Sequence, residues 1–423
     1  MTQPQLKIAV LDDYQILSEK HFKALPETAY DVTIFSDTLR PYDHPDTLPD
    51  EQERLVERLK PFAIISTMRE RTPFPDSLIS RLPNLRLLLT TGTRNAALSL
   101  DAFKQRGISV AGTVYANSAK GPDSTTQHCI ALILAAARNI AHDSRVIAEG
   151  GWQTTSAVGL TGKTVGIVGL GRLGVAVARI LHVAFGMRVV AWSPNLTQQI
   201  ANEKAVAAGL AVGNDNELQE HPVFEVVSKE ELFRSSDIVS VQLVLSDRSR
   251  GIISLKDLEI MKPDAIFVNT SRGPLVVEKD LLQVLKSGKI KAAALDVFDL
   301  EPLPLDSEWR TVPWGQDGRS HVLLSPHTGY VETDVIDSWY AQQVENIKRW
   351  ENGQALLHIE ADADKEGVEA VAEDEEDDNV EAANADGLRE GTSDKTEDRR
   401  EKDFEDAVVT GEFDFLESFA TCI

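Results

Sequence analysis

The sequence predicts an α/β protein of two parallel sheets, each wound with helices on both faces, followed by a strongly charged tail. Three observations lead there. Short apolar runs alternate with helix-compatible segments as far as Asn117, which is the rhythm of βαβ units. The alternation resumes after residue 160 with six further runs. From Glu360 onward the chain carries 24 acidic and 6 basic residues, a composition that cannot build a core.

In the first region "KIAVLDD", "YDVTIFS", "FAIIST", "LRLLLTT" and "SVAGT" read as five strands. The stretch "STTQHCIALILAAARNIAHDSRVIAEG", residues 124 to 150, has Ser and Thr at its start, a long apolar face and Gly150-Gly151 as a stop, so it predicts one long helix. The second series, "TVGIVG", "RVVAWS", "DIVSVQL", "AIFVNT", "AAALDVF" and "VLLSP", fits a doubly wound parallel sheet. "DVIDSWYAQQVENIKRWENG" then predicts a helix ending at Gly353, with Trp339, Val344, Ile347 and Trp350 available to pack on either sheet. Residues 360–423, with "EDEEDD" at 373 to 378, are expected to be disordered. Only "FEDAVVTGEFDFLESF" regains Phe and Val there, and a partner for it is unknown.

The formal net charge of -24 belongs mainly to that tail, since the residues before Glu360 hold 43 acids against 37 bases. They contain no dense Lys/Arg patch, so no nucleic-acid partner is expected. No apolar run reaches the ~18 residues of a membrane span, and the N-terminus lacks a basic segment followed by a hydrophobic one. Cys129 and Cys422 suggest no disulfide framework. A cytoplasmic protein without membrane association or a metal site is the expectation.

Chemistry concentrates at strand ends. In "TVGIVGLGRLGVAVARIL" a strand runs into Gly169, Gly171 and Gly174 at G-x-G-x-x-G spacing and then into a helix. Gly169 allows the tight turn, Gly171 the close approach of a pyrophosphate, and Gly174 the helix–strand contact. About 20 residues on, where an acid usually meets the adenosine ribose, stands Ser193. It neither repels a 2′-phosphate nor binds the ribose as strongly as a carboxylate, so use of both NAD and NADP is expected. Arg272 follows the run "AIFVN", while Asp296, Glu301 and His327 follow two others, so all four should approach one carboxyl edge. Singly each reads as a surface ion pair or a capping group. Together, an Arg fork for a carboxylate or carbonyl and a His paired with an acid suit proton transfer beside a nicotinamide.

"VGIVGLGRLG", "NTSRGPLVVEKDLL", "ALDVFDLEPLP" and "LSPHTGYV" resemble the D-isomer-specific 2-hydroxyacid dehydrogenase family, from about residue 5 to 355. The resemblance implies a Rossmann nucleotide domain over residues 119–330 and a smaller flavodoxin-like substrate domain made of 1–118 and 331–357. It also implies a homodimer formed through the nucleotide domain. By position, Arg272 binds a small 2-oxo acid, Glu301 pairs with His327, and His327 exchanges the proton. Arg172 and Leu173 offer backbone N–H groups to the pyrophosphate, and Thr270 and Asp296 lie near the cofactor. Gly92 with Thr93 cradles the substrate carboxylate. Beside the resemblance, Arg69 and Arg94 read either as contacts to a substrate's distal group or as solvated or interdomain charges. The implied activity is NAD(P)-dependent reduction of a 2-oxo acid such as glyoxylate or hydroxypyruvate to the D-2-hydroxy acid.

The chain also departs from the family pattern. Ser193 replaces the acid of the NAD-preferring form, Gln242 stands where relatives often have His, and "GNDNELQEHP" at 213 to 222 looks inserted. Glu301, an acid, argues against the formate-oxidising branch. A competing reading is a dinucleotide-sensing scaffold, because the fold also serves a transcriptional corepressor that keeps the Arg, Glu and His.

Overall fold

Parallel strands must be covered on both faces, and the apolar runs supply side chains to both. In the computed structural model, which describes residues 4–92, 95–114, 121–210 and 222–358, this produces two all-parallel sheets. The first comprises β1 (Leu6–Val10), β2 (Tyr30–Ile34), β3 (Ile64–Thr67), β4 (Leu87–Thr90) and β5 (Ser109–Ala111) in the order β2-β1-β3-β4-β5, a flavodoxin-like arrangement. Ala9, Ile65 and Leu88 point to one face, under the helices Pro49–Leu59 and Leu100–Gln105. Ile8, Val10, Ile64, Leu87 and Leu89 point to the other. That second face is closed by the helix Thr333–Glu351, whose Ile336, Trp339, Tyr340 and Ile347 are buried against it. Ser66 fixes the docking by donating to Gln343 Oε1 at 2.6 Å. The last helix therefore belongs with the first sheet, a choice its own apolar face left open.

The second sheet comprises β6 (Thr164–Val168), β7 (Arg188–Trp192), β8 (Phe224–Val226), β9 (Ile238–Val241), β10 (Ile266–Asn269), β11 (Ala292–Leu295) and β12 (His321–Leu324). Their order, β12-β11-β10-β9-β6-β7-β8, reverses direction between β6 and β9 and opens a crevice at their carboxyl ends. Val165, Ile167, Ile238 and Ile266 pack under the helices Ser124–Ala137 and Arg172–Phe185, and Val239, Val241 and Phe267 pack under Glu278–Lys286. Burying each such side chain stabilises the fold by about 1.5–3 kcal/mol.

All eleven strands read from the sequence form, but two features differ from it. The edge strand β8 adds a seventh strand; its three residues are too few for a periodic signal. The helix expected over 124–150 is two, Ser124–Ala137 and Ile140–Ala148, because Asn139 takes a left-handed φ of 55° between them. The acidic tail lies outside the described residues, as does the inserted segment except Pro222.

Candidate active site

The glycine turn sits at the crevice between β6 and β9. Gly169 has φ 104°, and a Cβ there would come within 2.8 Å of the Leu243 nitrogen. A Cβ on Gly174 would lie 2.1 Å from the Gly169 carbonyl oxygen, so helix and turn meet backbone to backbone. At Gly171, by contrast, a Cβ would meet nothing within 4 Å. The turn is thus tight behind and open in front, and Arg172 and Leu173 begin the helix with N–H groups that the ladder does not use. These features fit a dinucleotide pyrophosphate. Gly169 N–H also donates to the Trp192 carbonyl at 2.8 Å, which brings the half-buried Ser193, the next residue, to the same end of the sheet. The Arg172 guanidinium is paired with Asp123, and Lys229, 5.6 Å from the Trp192 ring, is held by Asp257 and the Ile252 carbonyl.

Three neighbouring strand ends then build one cluster. After β10, Asn269 Nδ2 donates to the Arg272 carbonyl at 3.0 Å, and a Cβ on Gly273 would lie 2.1 Å from the Phe298 carbonyl carbon. Arg272 is therefore presented by backbone pressed directly on the loop after β11. That loop carries Glu301, which accepts from Phe298 N–H at 2.9 Å and holds His327 Nδ1 at 2.5 Å. Asp296, 1% exposed, accepts from Ser325 Oγ at 2.5 Å, Thr328 N–H at 2.9 Å and Gly329 N–H at 3.0 Å, and it lies 3.1 Å from His128 Nε2. Burial disfavours its charge, but His128, Ser325 and Thr328 outweigh that and hold the carboxyl below its ordinary range. Asp296 thus secures the turn that presents His327. Thr270 is buried and accepts from Gln242 Nε2 at 3.3 Å, and Gln242 also reaches Ser240 and the buried thiol of Cys129.

A cleft of about 550 Å³ separates this cluster from the ends of the five-stranded sheet, and Arg69, Glu70, Arg272, Glu301, His327 and Tyr330 line it. Residues 130–329 match the model of the D-isomer specific 2-hydroxyacid dehydrogenase, NAD binding domain. The chain is similar to a hydroxypyruvate reductase of Blautia hydrogenotrophica, at 28% identity across 83% of this chain and 98% of the relative. It is 36% identical to a glyoxylate reductase of Aeropyrum pernix, across 66% and 76% of the two chains. A solved phosphoglycerate oxidoreductase from Vibrio cholerae o395 superposes with a TM-score of 0.67 at 31% identity, covering 82% of this chain and all of that one. The chain belongs to the D-isomer specific 2-hydroxyacid dehydrogenase family. It is an NAD-dependent oxidoreductase that acts on a CH–OH group.

The dehydrogenase brings Arg272, Glu301, His327 and Arg69 to one cleft, whereas Thr93 and Arg94 lie outside the described residues. Gly92 has φ 87°, and a Cβ there would lie 2.1 Å from Arg69 Nη1, so only glycine lets that guanidinium cover it. Residues that the motifs did not single out complete the wall. Glu70 Oε1 accepts from Arg272 Nη2 at 3.1 Å. Burial raises the Glu70 carboxyl, but Arg69 and Arg272 outweigh it and hold the group below its ordinary value. Arg71 donates to the Tyr330 hydroxyl at 2.8 Å and to the His327 carbonyl at 3.2 Å. The available signal was "STMRER": three charges directly after an apolar run, the same strand-end pattern that marked Arg272.

Proposed function

We propose that this dehydrogenase reduces the C2 carbonyl of a small 2-oxo acid to the D-2-hydroxy acid, with glyoxylate and hydroxypyruvate as the first substrates to try. The observation that carries the reading is the 2.5 Å Glu301–His327 pair facing the same cleft as Arg272. With Nδ1 held by Glu301, the imidazole passes its proton through Nε2 to the C2 oxygen, and takes it back in the oxidative direction. Arg272 offers a two-pronged donor to the carboxylate and carbonyl, orienting the acid and polarising the bond to be reduced. Gly92 with Thr93 cradles the carboxylate, and Arg69 and Arg94 meet the group beyond C2. Bound nicotinamide dinucleotide supplies or accepts the hydride. Gly169, Gly171, Gly174 and the N–H groups of Arg172 and Leu173 hold its pyrophosphate, with Ser193 at the ribose and Thr270 and Asp296 on the nicotinamide side.

The same reading assigns residues 1–118 and 331–357 to the oxo acid and 119–330 to the dinucleotide. It includes use of both NAD and NADP: Ser193 carries no charge, and the cations Arg172 and Lys229 are already engaged. It also includes a homodimer, supported by Ile140, Ile147 and Trp152, whose apolar side chains are exposed within one 13-residue stretch. A cytoplasmic location is part of the proposal; no helix among the described residues is long and apolar enough to cross a membrane. The test is a panel of 2-oxo acids assayed with NADH and NADPH. Turnover of glyoxylate or hydroxypyruvate that His327→Ala abolishes supports the reading. No turnover of any 2-oxo acid, with dinucleotide still bound, overturns it.

A further inference from the structure

His327 stands in a left-handed backbone conformation, φ 52°, which a side chain of its size holds only where the surroundings enforce it. Asp296 holds the following two N–H groups from within the seven-stranded layer. The other side of the same turn is held from across the cleft. Arg71, on the loop after β3, places one guanidinium on both ends of the turn: Nη2 on the His327 carbonyl at 3.2 Å and Nε on the Tyr330 hydroxyl at 2.8 Å. The Tyr330 ring in turn meets the His327 imidazole edge to face, with centroids 5.7 Å apart and planes at 80°.

The Arg71 loop is itself fastened. Thr72 donates to the buried Asp12 carboxylate at 2.9 Å, Arg69 N–H donates to Thr91 Oγ1 at 2.9 Å, and the Arg69 carbonyl accepts from Asn95 Nδ2 at 2.7 Å. Tyr14 lies 5.5 Å from the Arg71 guanidinium on its outer side. Burial works against the Arg71 cation, yet Tyr330, Asp12 and Tyr14 more than offset it. We infer that Arg71 and Tyr330 are positioning residues for His327, a brace from the five-stranded layer that sets the imidazole's orientation toward Glu301 and the cleft. This rests on the reading of His327 as the proton donor. It makes the donor's geometry depend on a residue 256 positions earlier in the chain and in the opposite layer.

The experiment uses the full chain with Arg71→Gln, Tyr330→Phe and the double variant. A misaligned imidazole slows the chemical step while leaving binding intact, so Arg71→Gln should lower kcat by about 10–100-fold with KM changed less than about threefold. The NADH dissociation constant, read by fluorescence, should stay within about twofold, because Arg71 contacts the turn and not the glycine loop. Tyr330→Phe keeps the ring but removes the hydroxyl, and should lose about 3–10-fold in kcat; the double variant should be no worse than Arg71→Gln, since the two act as one unit. Unchanged kcat, a loss carried by KM, or multiplicative losses would each overturn the brace. If Arg71→Gln fails to fold, Tyr330→Phe decides on the same criteria. If the wild-type protein reduces no 2-oxo acid, the functional reading fails separately, and the brace is read from the ¹⁵N signals of the His327 imidazole, assigned by their loss in His327→Ala. A changed tautomer signature or broadening in Tyr330→Phe and Arg71→Gln supports it, and identical signals overturn it.

Discussion

The two walls of the cleft are built differently. On the seven-stranded side the site is set by backbone: Gly169 and Gly174 meet atom to atom, Gly273 presses on the Phe298 carbonyl, and Asp296 grips the turn after His327 through two N–H groups. On the five-stranded side Glu70 and Arg71 reach across with flexible side chains, and their partners are other side chains or a single carbonyl, while Arg69 pairs with Glu70 on its own side. Backbone contacts tolerate little displacement, whereas long charged side chains can exchange partners at small cost. The difference assigns most of the reaction geometry to the seven-stranded wall and adjustable recognition to Arg69 and Glu70, with Arg71 the exception, fastened to Tyr330 and the His327 carbonyl.

That division predicts a gradient of effects. His327→Ala removes the proposed proton donor from the rigid wall and should lower kcat by about 10²–10⁴-fold with dinucleotide binding retained; near-normal turnover would break the assignment. Gly273→Ala should destabilise the protein by about 1–3 kcal/mol, because the Phe298 carbonyl cannot give way without moving Glu301. An unchanged melting temperature and kcat would show that this wall yields after all. Ser193→Asp should shift the ratio of kcat/KM values toward NADH by at least ~10-fold, about 1.4 kcal/mol. A ratio that does not move means Ser193 does not meet the ribose.

A pH series sharpens the contrast. In the folded protein the Asp296 carboxyl titrates below its ordinary 3.8, so its contribution to stability is fully present above that value and is lost as the pH falls through the lower, folded one. Asp296→Asn should lower the melting temperature at neutral pH and flatten its decline on acidification; an acid limb identical to wild type would detach Asp296 from the turn's stability. The smallest effect belongs to the flexible wall. Glu70→Gln removes the anion that Arg272 holds without a substrate, so KM for the oxo acid should fall by about 2–5-fold, less at high salt, as expected for a partly exposed pair. A rise in KM would instead make Glu70 a support that aims Arg272.

The sequence by itself determined what local patterns encode. Eleven strands follow from apolar runs bounded by turn residues, the tight glycine turn from glycines spaced between a strand and a helix, and the approach of Arg272, Glu301 and His327 from their places after strands of one parallel sheet. Each depends on a few neighbouring residues or on a topology those neighbours imply. The tertiary structure alone decided the break at Asn139, the short β8 and the hold of Asp296 on the histidine turn. It alone joined Glu70 to Arg272 and Arg71 to His327 and Tyr330, over 202 to 259 positions. Such contacts leave no periodicity or spacing in the chain, because which charged side chains meet across a cleft depends on how the two sheets are seated against each other.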